Sequence, residues 1–165
     1  MKVETLQDLY AKELQDLYGS EKLLVKWLAK MADTADMIEL RQALSNHINE
    51  ARTQTARIEK IFELHGEKPV AKQGKALEGI LREAEEDIAE ANNPNIRDAI
   101  IVAAIQQAKH LEVAAYSTLQ SYAIHLGHND DARILQTTLQ EERAMERKLS
   151  ELALNHMRVE AARPV

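Results

Sequence analysis

The strongest constraint on this chain is a set of long, breaker-free stretches in which inward-type residues step by four and three. Tyr10, Leu14, Leu17, Glu21, Leu24, Leu28 and Met31 follow that spacing, which lines residues along one stripe of an α-helix. The same steps run through Ile101, Ile105, Ala108, Glu112, Ala115, Leu119 and Tyr122, and through Leu135, Leu139, Glu142, Glu146, Leu149 and Ala153. A less regular stripe joins Leu40, Leu44, His47, Ala51, Gln54, Ile58 and Ile61. Five glycines, three prolines and 4% aromatic residues disfavour a β-rich or α/β fold. The chain is therefore expected to be all-α, built from long helices around a Leu/Ala/Ile core.

The few breakers place the helix ends. A first helix starts after Thr5, an N-cap with Asp8 three residues on, and runs to about Met31. Asp33-Thr34-Ala35-Asp36 leads into a second helix, about 37–65, closed by Gly66 with Pro69 beyond. Residues 67–75 read as loop, and about 75–91 as a shorter amphipathic helix closed by Asn92-Asn93-Pro94. A third long helix spans about 96–126 up to Gly127, and a fourth about 131–157. Four long helices of about 27–31 residues, each roughly 40–45 Å, result. Tight links join the first to the second and the third to the fourth, so each pair forms an antiparallel hairpin. The roughly 30 residues between the hairpins can cross the whole bundle. The expected fold is an up-down-down-up four-helix bundle with a fifth, shorter helix in the crossover. Residues 1–158 form its single domain, and 159–165 a frayed tail.

Composition narrows the function classes. The chain has 165 residues, one domain's worth. It carries 21 Lys+Arg against 27 Asp+Glu, a formal net charge of −6. Its basic residues are dispersed among acids, and no basic tail is present to neutralise phosphates, so nucleic-acid binding and a DNA-protecting shell are disfavoured. No stretch is apolar enough to span a membrane, and MKVETLQDLY lacks the apolar core of a signal peptide. The absence of cysteine excludes disulfides, zinc fingers, iron–sulfur clusters and thiol catalysis, and fits a cytoplasmic protein. Neither a nucleophile elbow nor a phosphate-cradling glycine loop occurs.

The functional signal lies where the stripes are interrupted. The helix midpoints fall near residues 19, 51, 111 and 144, and Glu21, Glu50, Glu112 and Glu142 each lie within about two residues, or roughly 3 Å, of one. Glu50 sits on a flanking stripe one turn from His47. Four carboxylates would then share one layer inside the bundle. Unpaired buried carboxylates cost several kcal/mol each and repel one another. Three remedies exist: protonation, pairing with buried Lys or Arg, or binding of hard cations. Lys109, one turn before Glu112, and Arg52, Arg57 or Arg143 are the available cations. Alternatively, four glutamates can hold two metal ions about 3.5–4 Å apart, as in carboxylate di-iron and di-manganese bundles.

At these residues the chain resembles a known family, the YciF/YciE stress proteins, a ferritin-like group related to rubrerythrin. The similar stretches are Asp16-Leu17-Tyr18-Gly19-Ser20-Glu21-Lys22, His47-Ile48-Asn49-Glu50, His110-Leu111-Glu112-Val113-Ala114-Ala115-Tyr116 and Leu139-Gln140-Glu141-Glu142-Arg143-Ala144-Met145. The resemblance covers nearly the whole chain. It implies a ferritin-like bundle, commonly a homodimer, with a di-iron centre (two iron ions per chain, manganese as the other candidate) acting in stress or oxidant defence by oxidising Fe(II) with peroxide or O₂. In that reading Glu21 and Glu112 are terminal ligands, Glu50 and Glu142 bridge, and His47 and Glu146 are auxiliary. The pattern departs from ferritin-like oxidases at three places. Thr53 and Met145 stand where Glu-x-x-His motifs carry histidine, and Lys109 stands where the family often has glutamate. The competing expectation is a non-catalytic dimer in which Lys109 and nearby arginines pair the interior glutamates.

Other residues carry weaker signals. His65, His125 and His128 read as helix-end caps beside glycines. His110 points roughly 160° away from Glu112. Tyr116 lies one turn from Glu112, within reach of a site carboxylate. Trp27 and Phe62 read as packing, and Gly79 as a close approach to the bundle.

Overall fold

The scarce breakers become the ends of five helices in the computed structural model, which describes the backbone of residues 2–161 and the side chains of residues 2–154. These are α1 (Leu6–Thr34), α2 (Ile38–Leu64), α3 (Lys75–Glu90), α4 (Pro94–His125) and α5 (Asn129–Ala161). No strand occurs among the described residues.

Local chemistry explains the boundaries. Thr5 Oγ1 accepts from the Asp8 N–H at 3.1 Å while Asp8 Oδ2 accepts from the Thr5 N–H at 2.9 Å, a reciprocal cap that starts α1. Pro94 opens α4 at the position where its missing N–H costs nothing, so that helix begins two residues earlier than expected. At the other end of α4, Gly127 adopts φ 75°, and the His128 N–H closes back onto the Ala123 carbonyl at 2.9 Å. This closure reverses the chain within three residues. Asn129 and Asp130, expected before the helix, therefore join Asp131 in the first turn of α5, where the helix dipole favours acids. α1 continues past Met31 to Thr34, and α5 stays helical to Ala161 rather than ending near 157. Of the tail expected to fray, 162–165 lies outside the described residues.

The two hairpins pack as an up-down-down-up bundle, with α3 crossing over α4 and α1. Both ends are pinned by buried aspartates. Asp98 near the start of α4 accepts the N–H groups of Asp36 and Met37 in the α1–α2 link, at 2.9 and 2.8 Å. At the opposite end Asp131 of α5 accepts the Tyr10 hydroxyl at 2.8 Å and lies 2.6 Å from His65 Nε2. These contacts bring the starts of α1 and α5 to the end where α2 and α4 finish, which sets the helix directions. The His65 side chain thus binds a carboxylate from another helix, while its N–H closes onto the Phe62 carbonyl at 3.1 Å as the C-cap of α2. His125 behaves as expected, with Nδ1 2.8 Å from the Ser121 carbonyl.

The apolar core has two parts. Leu24, Leu28, Leu40, Leu44, Ile101, Ile105 and the α3 residues Leu77 and Leu81 form one, which Trp27 joins. Tyr10, Leu14, Leu17, Ile58, Ile61, Phe62, Leu135 and Leu139 form the other. The layer between them is polar.

The crossover loop docks on α1 by main-chain contact. The Lys72 N–H donates to the Gln15 carbonyl at 3.0 Å. A Cβ on Gly19 would lie 1.5 Å from the Lys72 carbonyl oxygen, and one on Gly74 would lie 1.9 Å from Ser20 Oγ. Gly79, expected to mark such an approach, faces open space instead, with nothing within 4 Å of a Cβ built there. In urea unfolding, Gly19→Ala should therefore lose roughly 1–3 kcal/mol, the range for overpacking. Gly79→Ala should gain roughly 0.5–1 kcal/mol through helix propensity.

Candidate functional site

The polar layer is assembled from all four long helices. α1 supplies Glu21, α2 His47 and Gln54, α4 Lys109, Glu112 and Tyr116, and α5 Glu142, all buried. On α4, residues 109, 112 and 116 share one face by the i, i+3 and i+4 rule. The inner stripe of that helix therefore passes through Lys109, Tyr116 and Ala123, and Ala115 and Tyr122 are only half-buried. Regular 4-3 spacing alone favours the latter two. α4 touches α5, α3 and α1 at once, so it is apolar on several sides and admits more than one 4-3 stripe.

Lys109 is the centre of the layer, with no exposed surface. Its Nζ donates to Glu142 Oε2 at 2.7 Å and lies 2.6 Å from Glu112 Oε2, an ion pair whose angle does not make it a hydrogen bond. Glu142 Oε1 accepts from Gln54 Nε2 at 2.7 Å, and Glu21 Oε1 accepts from the Tyr116 hydroxyl at 2.6 Å. Glu21 Oε2, Glu112 Oε1, His47 Nε2 and Gln54 Oε1 have no hydrogen-bond partner among the described residues.

The electrostatics follow from one cation facing three carboxyl groups in a dry interior. Burial raises the Glu21 carboxyl from 4.5 to about 7; Lys109 opposes the rise, Glu142 adds to it and the Tyr116 hydroxyl opposes it. Burial also raises Glu112 well above the usual range, against the pull of Lys109 and with the help of Glu21 and Glu142. Burial alone would discharge Lys109, but Glu112, Glu142 and Glu21 outweigh it and hold the ammonium protonated more firmly than in water. Burial, then Lys109, keeps His47 neutral. Lys109 thus supplies one of the three remedies, pairing with a buried cation, and the upward shifts of Glu21 and Glu112 favour a second, protonation.

Of the six residues expected to ligate metal, Glu21, Glu112, Glu142 and His47 enter this layer. Glu50 does not. Ala51, Gln54 and His47 occupy the inner stripe of α2, and Glu50 is exposed in the groove between α2 and α5, beside Thr53, Met145 and Lys148. Glu146 is also diverted, lying 2.5 Å from Nδ1 of the exposed His110. The arginines do not reach the layer either: Arg57 makes a two-pronged contact with Glu141 at 2.5 and 2.9 Å, and Arg52 and Arg143 are exposed. The set fits two metal ions poorly. The ammonium occupies the space among the carboxylates that a cation would need, and a bridging carboxylate is turned outward. Among the described residues, no group of three or more His, Asp or Glu has metal-holding geometry. Gln54 was the member overlooked as a site residue, although an amide in the seam one turn from the acid layer is a readable signal.

Comparison with known proteins accords with this architecture. Residues 5–162 match the family described as a domain of unknown function, DUF892. The chain is 35% identical over 162 residues to protein YciF of Escherichia coli K12, covering 98% of each chain. The crystal structure of that E. coli stress protein superposes with a TM-score of 0.88, covering 94% of this chain and 99% of the other. YcfI from Rhodopseudomonas palustris, described as a candidate structural protein, is 37% identical with a TM-score of 0.87, over 90% of this chain and 95% of that one. A Xanthomonas campestris protein at 23% identity and TM-score 0.71, over 96% and 95% of the two chains, shares the fold. No helix among the described residues is long and apolar enough to cross a membrane.

The raised Glu21 carboxyl links the layer to stability. The folded state binds this proton more tightly than the unfolded chain, so the contribution is full below about pH 4.5 and fades as pH rises through about 7. Thermal melts should show that Glu21→Gln, which has no proton to lose, narrows the difference in Tm between pH 5.5 and pH 8.

Proposed function

Since the chain belongs to the DUF892 family, alongside the E. coli stress protein YciF, we propose that it is a non-catalytic structural or interaction protein of the stress response, a ferritin-like bundle whose centre is neutralised from within. The homodimer implied by the family resemblance is part of this proposal. The observation that carries it is the position of Lys109 Nζ, 2.6 and 2.7 Å from the carboxylates of Glu112 and Glu142 and closed to solvent. A metal pair would have to displace that ammonium, and without Glu50 it would lack one bridge. The description of YcfI as a candidate structural protein points the same way.

The competing reading is a di-iron or di-manganese centre that oxidises Fe(II). Elemental analysis of protein produced with added iron and manganese, then desalted, separates the two. The structural reading expects about zero equivalents of either metal and a Tm unmoved by chelator, since a ligand bound only to the native state must stabilise it. About two equivalents per chain would restore the dimetal reading. The internal cation makes a second prediction. Lys109→Met leaves three carboxyl groups without their ammonium and should cost about 3–5 kcal/mol at pH 8, the cost of breaking a buried pair. Part of that loss should be recovered at pH 5.5, where the carboxyl groups take protons, as read by urea unfolding at both pH values.

A further inference from the structure

α4 is the most apolar of the five helices, and its apolar residues fall on every side of it. A helix of that kind is ordinarily buried all round. The bundle packs α5, α3 and α1 against α4, and one side stays open among the described residues. Between Ile96 and Ile124 no exposed residue of α4 is Asp, Glu, Lys or Arg. The neighbouring helices expose charge instead, with Glu83, Glu86 and Asp87 on α3 and Arg143, Arg147 and Lys148 on α5. Charged residues are what the buried centre of a protein–protein interface lacks.

The open side is a continuous stripe. Ala103, Gln107, His110, Ala114 and Ser121 follow one another at helical spacing along it. Ile96 and Ile124, 50% and 56% exposed, stand at its two ends. On α5, Leu154 follows Ser150 by one turn, and Ser150 accepts from Gln106 at 3.1 Å, so Leu154, 53% exposed, flanks the stripe beside Ala103. The stripe runs about 42 Å and, at a helix diameter of about 10–12 Å, offers on the order of 500 Å². The flanks of α3 and α5 bring it towards the roughly 800 Å² per partner of a stable complex.

Two properties choose the occupant. The chain carries a net charge of −6, so two copies repel one another least where neither exposes a charge. The stripe also matches itself, because Ile96 and Ile124 lie equally far from His110 along the helix. Two copies of α4 laid antiparallel about a twofold axis at His110 would set Ile96 of each on the partner's Ile124 and Gln107 beside the partner's Ala114, the reciprocity that a twofold interface requires. We propose that a second copy of this chain docks on the outer face of α4 in this register. The inference deepens the structural reading above and rests on its homodimer.

Sedimentation equilibrium of the full chain in chelator should show a dimer with Kd below about 50 µM. Gln107→Glu with Ala114→Glu sets like charges across the axis and should raise that Kd at least about tenfold. Gln107→Glu with Ala114→Lys sets opposite charges there and should keep it within about threefold of the parent. Both positions are exposed, and circular dichroism should find both variants as helical as the parent. The chain has no cysteine. A short bis-maleimide should therefore join Ile96→Cys chains to Ile124→Cys chains in a mixture, and should leave each kind unlinked when alone, since its two thiols would stand about 42 Å apart. A monomeric parent chain would overturn the docking face together with the homodimer of the structural reading. A dimer that the two charge variants keep equally or lose equally, or self-linking of Ile96→Cys, would overturn the docking face alone. The metal content of the chain decides the non-catalytic reading separately.

Discussion

One ammonium in the middle of the bundle holds the rest of the structure to its shape. Without Lys109, the carboxyl groups of Glu21, Glu112 and Glu142 would meet in a layer closed to water, where mutual repulsion acts with little screening. With it, the layer becomes a bonded set reaching all four long helices. Lys109 and Glu112 stand on α4, Glu142 on α5 is held by Lys109 and by Gln54 of α2, and Tyr116 of α4 reaches Glu21 on α1. Such a set is a weak source of net stability, because desolvation consumes most of what the contacts return. Its value lies in alignment: a one-turn slip of any helix would break a charged contact in a dry interior.

The apolar clusters on either side of that layer provide the cohesive energy, and the bundle ends provide closure. Asp98 and Asp131 each bind groups from a different hairpin, so neither hairpin can swing away from the other at its tips. The crossover adds a third tie through main-chain contact at Gly19 and Gly74.

The helices, their order and the up-down-down-up topology were readable from the apolar spacing and a handful of breakers, because those signals are local. The acid layer was readable for the same reason: the rise of a helix converts residue number into height. What spacing could not decide was rotation about each helix axis. On α2 the inner stripe was legible, Ala51 and Gln54 included, but spacing could not tell whether the flanking Glu50 reaches inward, and it lies at the surface. On α4 the spacing favours Ala115 and Tyr122, whereas Tyr116 and Ala123 are the buried positions. Long-range pairs such as Tyr10 with Asp131, or Asp98 with the α1–α2 link, leave no mark in local sequence, since each partner alone resembles an ordinary surface residue.

The composition of the central layer has an evolutionary consequence. A lysine codon becomes a glutamate codon by a single change at its first base. At position 109 that change would replace one cation among three acids by a fourth acid, and a self-neutralised layer would become one that demands an outside cation. The helices, apolar seams and end contacts that frame the layer do not involve the sign at that position. The sign of one side chain thus sets whether the layer balances its charge from within or needs a cation from outside.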